Sequence, residues 1–168
     1  MKATHISAGP GSRQRADFMN LKELKIEKMQ ASDIAEIACL EKECFSSPWS
    51  EAALTDELYN EHARFFVARV ESELAGYIGA FNVLGEVSIT NVAVKEKFRK
   101  NGIGAALLNK LEKTARLENA DFITLEVRAS NENAISLYSK NGYERVGERK
   151  NFYSKPTENA VLMTKQLH

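Results

Sequence analysis

The first part of the chain switches between the two-residue period of strands and the 3.6-residue period of helices. Residues 24–29 alternate apolar and polar side chains, which predicts a half-buried first strand. A helix to about Cys44 is predicted next, with Ser32 as its N-cap, because apolar residues then recur on one helical stripe. Ser50 is the predicted N-cap of a second, shorter helix over 51–59. The stripe of the first helix consists of Ile34, Ile37, Ala38 and Leu40, together with the neighbouring Glu41.

Three strands joined by short turns follow these helices. Their apolar segments span 64–70, 74–83 and 86–94. Residues 71–73 form the first predicted turn, and residues 84–85 (Leu-Gly) form the second. Because connections this short join strands that run in opposite directions, we predict an antiparallel meander.

The last part of the chain has the strand–helix–strand order of a parallel unit. The strand that ends at residue 94 leads through a basic turn into a helix that ends near Glu118. A strand over 121–129 follows. The next helix begins at Ser130 or Asn131 and ends before Gly142, which suits the left-handed position after a helix. Two final strands are predicted over 143–153 and 159–167.

Together these elements predict an α+β fold, with a mixed, mostly antiparallel sheet of about seven strands and about four flanking helices. One domain is expected over residues 21–168. Residues 1–20 mix Gly, Ser, Pro, Arg and Gln without periodicity. We interpret them as a mobile extension or an added remnant.

Composition and charge are those of an ordinary globular protein. The 168 residues are 43% hydrophobic and 27% charged, and 23 Lys and Arg balance 23 Asp and Glu. That balance gives no reason to expect a nucleic acid or an acidic membrane as a partner. No apolar run is long enough for a membrane span, and the first residues lack the apolar segment of a secretion signal. We therefore expect a cytoplasmic protein.

The cysteines and histidines do not suggest a metal site. Cys39 and Cys44 lie five positions apart on a predicted helix, and we expect both to be buried thiols. His5, His62 and His168 are scattered among unrelated segments. We therefore expect no bound metal.

The turn after residue 94 has the features of a phosphate-binding loop. Gly102 and Gly104 lack a Cβ, so the backbone there can turn sharply and approach a bound group closely. The first N–H groups of the following helix have no partner within it, and the helix dipole favours a negative charge beside them. The spacing matches neither G-x-x-x-x-G-K-[ST] nor G-x-G-x-x-G. An ordinary strand-to-helix turn with a solvated basic face is the alternative.

Two motifs resemble those of the GCN5-related N-acetyltransferases (GNAT). The first is Arg99-x-x-Gly102-x-Gly104, which lies between a strand and a helix. The second is N-x-x-A-x-x-L-Y-x-x-x-G-[FY], which runs from Asn131 to Tyr143. The order of the predicted elements also resembles that of the family, over about residues 21–168. The resemblance implies a sheet whose middle strands splay apart to form a slot for acetyl-CoA.

The resemblance also implies which residues hold acetyl-CoA. The backbone of Val92, Ala93 and Val94 would bind the pantetheine arm as an added strand. Asn131, at the start of the last helix, and Tyr138 would also contact the cofactor. The pyrophosphate would lie against the loop residues Arg99, Lys100, Asn101, Gly102, Ile103, Gly104 and Ala105.

Two residues are candidates for the chemistry of amine acetylation. Glu126 lies in an otherwise apolar strand, where a carboxylate is a suitable general base. The alternative is a satisfied polar residue on the strand face that carries Thr124 and Arg128. Tyr138 has a hydroxyl that can protonate a thiolate, although a Tyr at this helical spacing is also typical of a core aromatic. In the family the matching tyrosine protonates the coenzyme thiolate. In one group of the family, the ribosomal-protein-alanine N-acetyltransferases, the matching glutamate is the general base.

Four parts of the chain are similar to one group in this family, the ribosomal-protein-alanine N-acetyltransferases. The similarity implies direct transfer from acetyl-CoA to the N-terminal alanine of the eighteenth small-subunit ribosomal protein, without a covalent enzyme intermediate or a metal. Asn159 stands where the group often has Asp, and the N-terminal segment is extra. The similar parts are residues 43–50, 91–94, 125–131 and 149–156 with 158–163.

Two other functions stay open on the sequence. The first is acetylation of a small amine, an amino acid or a lysine side chain. The second is an acyl-CoA-binding sensor without turnover, which the pair Glu126 and Tyr138 argues against because a pure binder needs neither. The Trp49 loop and the segment from Tyr153 to Pro156 are candidates for the acceptor groove. Trp49 has an equally good interpretation as a hydrophobic staple on the second helix.

Overall fold

A computed structural model describes residues 23–168 as one seven-stranded sheet with helices on both faces. The strands are β1 (Leu24–Lys28), β2 (Ala63–Val70), β3 (Glu73–Val83), β4 (Glu86–Val94), β5 (Phe122–Arg128), β6 (Glu144–Ser154) and β7 (Thr157–Gln166). The helices are α1 (Ile34–Cys44), α2 (Glu51–Glu57), α3 (Ile103–Leu117) and α4 (Glu132–Lys140), with short 3-10 turns at Ala31–Asp33 and Glu96–Phe98. The predicted α+β architecture is confirmed.

The order of strands in the sheet is β1-β2-β3-β4-β5-β7-β6. Within residues 23–168, β4 and β5 form the one parallel pair, and the other neighbours are antiparallel. The predicted meander is β2, β3 and β4. Its second turn has Leu84 at φ 53° and Gly85 at φ 87°, the two positive values that a two-residue type I′ hairpin requires.

Apolar side chains pack on both sides of the sheet. α3 and α4 cover one side, and α1 and α2 cover the other around Phe65 and Tyr77. Because successive residues of a strand face opposite sides, Val92 and Val94 point towards α3 and Ala93 points towards α1. The α3 residues buried against the sheet include Leu107, Leu108, Leu111 and Ala115.

Side-chain caps fix the starts of two helices, at Ser50 as predicted and at Asn131 rather than at the alternative Ser130. The Ser50 hydroxyl accepts the N–H of Ala53 at 3.1 Å and begins α2. The Asn131 side-chain oxygen accepts the N–H of Ala134 at 3.2 Å and begins α4. Each cap satisfies an N–H group that the first helical turn leaves without an internal partner.

Two expectations for α1 are wrong. Ser32 does not cap the helix but lies in the 3-10 turn before it, where the Asp33 carboxylate accepts the N–H of Gln30 at 2.8 Å. Cys39 is exposed, whereas Cys44 is buried. Residues five positions apart on a helix differ by about 140° around its axis, so the two thiols cannot both face the sheet.

The interpretation of residues 1–20 and the expected domain start at residue 21 lie outside the described residues. Between residues 23 and 168, no helix has the length and apolar character that a membrane span needs. In the same part of the chain, no three His, Cys, Asp or Glu side chains are grouped as ligands for a metal ion.

Gly76 allows β3 to approach β4 closely. A Cβ atom at this position would lie 2.5 Å from the carbonyl oxygen of Ala93 and 3.2 Å from the Cα atom of Val94. Both are backbone atoms of β4, so they cannot turn aside as the end of a flexible side chain can. At Gly147 on β6, by contrast, nothing lies within 4 Å of a Cβ.

We therefore expect Gly76→Ala to lower the free energy of unfolding by about 1–3 kcal/mol, because the added methyl group forces the two strands apart. Gly147→Ala is the matched control and should change it by less than about 0.5 kcal/mol. Urea denaturation of both variants measures the difference. Equal losses in the two proteins would show that the approach of β3 to β4 is not the cause.

Candidate active site

The two parallel strands in the middle of the sheet pair over a short stretch only. Their register runs from Glu86 opposite Phe122 to Ile89 opposite Leu125. Beyond that point β4 continues beside β3 to Val94, while β5 continues beside β7. The ends of β4 and β5 therefore part and leave a gap in an otherwise continuous sheet.

One side of this gap presents the backbone of β4. The N–H of Lys95 donates to the carbonyl of Ala75 on β3 at 2.8 Å. Backbone groups alternate between the two edges of a strand, so the N–H groups of Val92 and Val94 face the gap and that of Ala93 faces β3. An extended ligand in the gap can thus pair with β4 through Val92 and Val94.

The loop at the wide end of the gap leads into α3 through two left-handed residues. Lys100 has φ 61° and Gly102, directly before the helix, has φ 78°. The first helical hydrogen bond runs from the N–H of Ala106 to the carbonyl of Gly102 at 2.9 Å. The N–H groups of residues 103–105 therefore precede the helical ladder, where an anion can accept them. This arrangement fits a pyrophosphate group.

Arg99 connects this loop to β4 and α1. Its Nε donates to the carbonyl oxygen of Val94 at 3.0 Å, and its Nη2 lies 3.8 Å from Sγ of Cys44. Burial raises the pKa of the Cys44 thiol, although Arg99 acts in the opposite direction. Asn101 donates its side-chain N–H to the carbonyl of Arg99 at 2.9 Å. Arg99 thus shapes the loop in addition to its predicted place beside the cofactor.

The start of α3 packs tightly against α4 at Gly104. A Cβ atom there would lie 3.0 Å from Cδ2 of Leu137. Leu137 precedes Tyr138 on α4, so the contact helps to set the position of the helix that carries the candidate acid. Gly104 therefore also has a packing role that the motif did not indicate.

Tyr138 is fully buried in the apolar cluster that also contains Val92, Val94 and Val127. Those valines lie on β4 and β5 beyond the point where the strands part. The ring of Tyr138 packs edge-to-face on Tyr143, with centroids 5.7 Å apart. Tyr138 is therefore a core aromatic that borders the gap, and its role as the general acid stays a prediction.

Glu126 is the first residue of β5 beyond the pairing with β4. Its neighbours Leu125 and Val127 point into the cluster under α3 and α4, so Glu126 points to the opposite side. The Glu126 side chain is 13% exposed, and its Oε1 lies 2.8 Å from Nη1 of Arg149 on β6. The sequence did not indicate this partner, because β7 and a register shift in β6 separate the two residues.

Arg128 organises the hairpin between β6 and β7. Its guanidinium donates to the carbonyl oxygens of Lys155 at 3.0 Å and Pro156 at 3.1 Å. It also pairs with Glu158 at 3.2 Å and lies 4.1 Å from the centre of the Tyr153 ring. The predicted acceptor segment is thus held against the strand that carries the candidate base.

A buried carboxylate that the sequence analysis missed connects α1 to β3 and β4. Glu41 accepts hydrogen bonds from the hydroxyl of Tyr77, from Nδ2 of Asn91 at 2.6 Å and from the N–H of Trp49 at 2.8 Å. Burial raises the pKa of Tyr77 well above its ordinary value, with Glu41 adding to the effect, so the phenol stays a donor. The place of Glu41 on the predicted stripe of α1 was the signal available in the sequence, although its hydrogen-bond partners were not predicted.

Trp49 packs as a structural residue. Its ring centroid lies 5.8 Å from that of Phe65 and 6.5 Å from that of Phe81, both on the adjoining strands. Together with the hydrogen bond to Glu41, these contacts fix the loop between α1 and α2. Its part in an acceptor groove stays a prediction.

A comparison with known proteins agrees with this geometry. Residues 34–143, well over half of the chain, match the model of the acetyltransferase (GNAT) family. This chain belongs to the GNAT family. It is therefore an acyltransferase that depends on acetyl-CoA.

Individual relatives of this GNAT protein share most of its length. It is 34% identical over 139 residues to a putative ribosomal protein bS18-alanine N-acetyltransferase of Bacillus subtilis, a match that covers 82% of this chain and 92% of that protein. It is 31% identical over 159 residues to an N-alpha-acetyltransferase of Sulfurisphaera tokodaii, covering 87% and 95%. The crystal structure of the ribosomal-protein-S18-alanine N-acetyltransferase from Escherichia coli has a TM-score of 0.79 at 27% identity, over 86% and 94% of the two chains. The similarity to the ribosomal-protein-alanine group is confirmed.

Asn159, where that group often has Asp, shapes the edge strand of this GNAT domain. Its Oδ1 accepts the N–H of Asn151 at 2.9 Å, and its Nδ2 donates to Glu148 at 2.5 Å. Asn151 has φ 52° in the irregular part of β6. An Asp can make the first contact but has no N–H for the second.

Glu158 connects the acceptor hairpin of the GNAT domain to the start of α4. One carboxylate oxygen accepts the N–H of Ser130 at 2.6 Å, and the other pairs with Arg128. Burial acts to raise the pKa of Glu158, but these hydrogen bonds outweigh it and hold the pKa below its ordinary value. The contact therefore stabilises the fold at pH values above the ordinary glutamate pKa. This stabilisation is lost as the pH falls through the lower pKa of Glu158 in the folded protein.

We expect Glu158→Gln to lower the free energy of unfolding at neutral pH by about 1 kcal/mol, since solvent partly screens the pair. The difference from wild type should shrink as the pH falls below about 4.3. Urea denaturation across this range measures it, with Glu144→Gln on the exposed part of β6 as the control. A difference that stays constant at all pH values would rule out the ionic contact as its source.

Proposed function

We propose that this enzyme transfers the acetyl group of acetyl-CoA to the α-amine of an N-terminal alanine on the eighteenth protein of the small ribosomal subunit. The parting of β4 and β5 is the observation that carries the proposal. It leaves backbone donors on one border of the gap, Glu126 on the other, and Tyr138 in the cluster behind them. The names of the B. subtilis and E. coli relatives suggest the acceptor.

In this proposal acetyl-CoA lies in the gap as a substrate. Its pantetheine arm pairs with the backbone of Val92 and Val94, with Ala93 between them. The N–H groups of the loop from Lys100 to Ala105 hold the pyrophosphate, and Arg99 adds positive charge nearby. Asn131 is placed at the head of α4, beside the same end of the gap.

Each step of the transfer is assigned to a group of this chain. Glu126 takes a proton from the acceptor ammonium, directly or through a water. The free amine attacks the thioester carbonyl, whose oxygen accepts the N–H of Val94 as negative charge develops. Tyr138 gives its proton to the departing thiolate. The acetyl group passes directly to the amine, so the enzyme forms no covalent intermediate.

The acceptor is proposed to approach on the face of the sheet opposite α3 and α4, over β5 and beside the part that α1 and α2 cover. Glu126 points to this face, and the hairpin from Tyr153 to Pro156 borders it. Burial raises the pKa of Tyr153, although Arg128 opposes the rise, so its phenol stays a donor. The Tyr153 hydroxyl is buried and has no hydrogen-bond partner among residues 23–168.

We expect acetylation of a peptide that begins with a free alanine, and none of an N-blocked peptide with an internal lysine. The reason is that the proposed acceptor is an α-amine in extended backbone, which a lysine side chain does not present. Intact mass after incubation with acetyl-CoA measures both products.

The other outcomes are equally decisive. Acetylation of the lysine peptide alone would contradict the proposed acceptor while keeping the enzyme class. Thermal stabilisation by acetyl-CoA without product from either peptide would leave two functions open, acetylation of a small amine and acyl-CoA sensing without turnover.

We expect Glu126→Gln to lower kcat by about 10²-fold or more, because the carboxamide cannot accept the ammonium proton. Tyr138→Phe should lower kcat by a similar factor with little change in the affinity for acetyl-CoA, because it removes one hydroxyl and keeps the ring. Steady-state kinetics and cofactor titration separate the two effects.

The chain offers a matched control for each variant. Glu144→Gln makes the same chemical change at an exposed position of β6. Tyr143→Phe makes the same change at a second buried tyrosine. The Tyr143 hydroxyl has no hydrogen-bond partner in the described part of the chain. Both controls should keep wild-type turnover. Wild-type kcat in Glu126→Gln or in Tyr138→Phe would refute the corresponding role.

A further inference from the structure

A cation already lies on the solvent side of the proposed base. Nη1 of Arg149 is 2.8 Å from Oε1 of Glu126. The arginine side chain is 54% exposed, whereas that of the glutamate is 13% exposed. A molecule that reaches Glu126 from the open face therefore approaches past the guanidinium.

The surroundings of Arg149 allow its guanidinium to leave this position. Arg149 is the last residue of β6 in regular register with β7 before the irregular segment that ends at Tyr153. Its guanidinium carbon lies 5.5 Å from the centre of the Phe152 ring, which offers a second contact for the cation. Movement away from Glu126 therefore does not have to expose the whole side chain to water.

The proposed reaction needs another cation at the same carboxylate. The acceptor ammonium and the guanidinium are both charged N–H donors that approach an oxygen to about 2.8 Å. Two like charges so close to one another repel, and more strongly beside a largely buried carboxylate than in bulk water. The carboxylate therefore pairs well with either cation and poorly with both.

We propose that Arg149 competes with the acceptor, because its guanidinium occupies the position of the acceptor ammonium in the free enzyme. The inference rests on the proposed role of Glu126. Acceptor binding then exchanges one cation for the other at the Glu126 carboxylate. An N-terminus that is already acetylated carries no charge and cannot displace Arg149. Return of the guanidinium after transfer also favours release of the neutral product.

Peptide affinity in the presence of CoA, which lacks the acetyl group, tests the exchange without turnover. The probes are a peptide with a free N-terminal alanine and the same peptide with an acetylated N-terminus. We expect Arg149→Met to bind the free peptide about two- to fivefold more tightly than wild type, because no ion pair has to be broken. Its affinity for the acetylated peptide should not change.

Two further variants control for charge. Arg149→Lys keeps a cation beside Glu126 and should bind both peptides as wild type does. Arg145→Met removes an arginine from the same strand that pairs with Glu148 instead, and it should also match wild type. Weaker binding of the free peptide by Arg149→Met, or an equal change for both peptides, would overturn the proposal.

NMR spectroscopy of the Arg149 Nε–H group tests the ion pair without any acceptor. The resonance is assigned because it disappears in Arg149→Lys. Glu126→Gln should move this resonance in the free enzyme, and the free peptide should move the wild-type resonance to the same position. An Arg149 resonance that is the same in wild type and Glu126→Gln would overturn the proposal whatever the acceptor is. Full turnover by Glu126→Gln would instead refute the proposed base. The kinetic assay detects that failure separately from the NMR measurement.

Discussion

The short pairing of β4 with β5 is the constraint on which the rest of the structure depends. A strand inside a sheet normally has hydrogen-bonded neighbours on both edges, and backbone groups left without partners are costly. Here the pairing ends at Ile89 and Leu125, so the last part of β4 has β3 on one edge and a gap on the other. A linear substrate with amide groups can complete the missing ladder. The binding site is thus an interruption in the sheet.

Two buried charged groups fix the borders of this interruption. Glu41 receives donors from β3, β4 and the Trp49 loop, and so joins α1 to the β4 border. Arg128 pairs with Glu158 and two carbonyl groups, and so joins the β5 border to the hairpin of β6 and β7. A buried charge is tolerated only when several hydrogen bonds satisfy it. Each group therefore holds the surrounding elements in one arrangement.

Several motif residues have a structural contact in addition to their proposed role. Arg99 donates to β4, Gly104 lies against α4, and Tyr138 packs in the core. Such residues hold the site rigidly because the same contacts that position them also contribute to the packing of the domain. The edge strand β6 differs, since Arg149 and its irregular segment are largely exposed. The acceptor side of the gap is therefore the part with more freedom to move.

The sequence by itself determined the elements, the meander, the cap at Ser50 and the two family motifs, because periodicity, turn chemistry and motif spacing are local properties of the chain. The candidate site residues followed from the resemblance of those motifs to the family, and the choice of Asn131 over Ser130 as a cap came from the structure. It did not determine which cysteine of α1 is buried or where the cap before that helix lies. Only the tertiary structure decided that Glu126 faces Arg149 and that Glu41 is the shared acceptor of three donors. These contacts depend on strand register, on the irregular segment of β6 and on helix rotation. Packing across the whole sheet sets all three features, and no local sequence pattern encodes them.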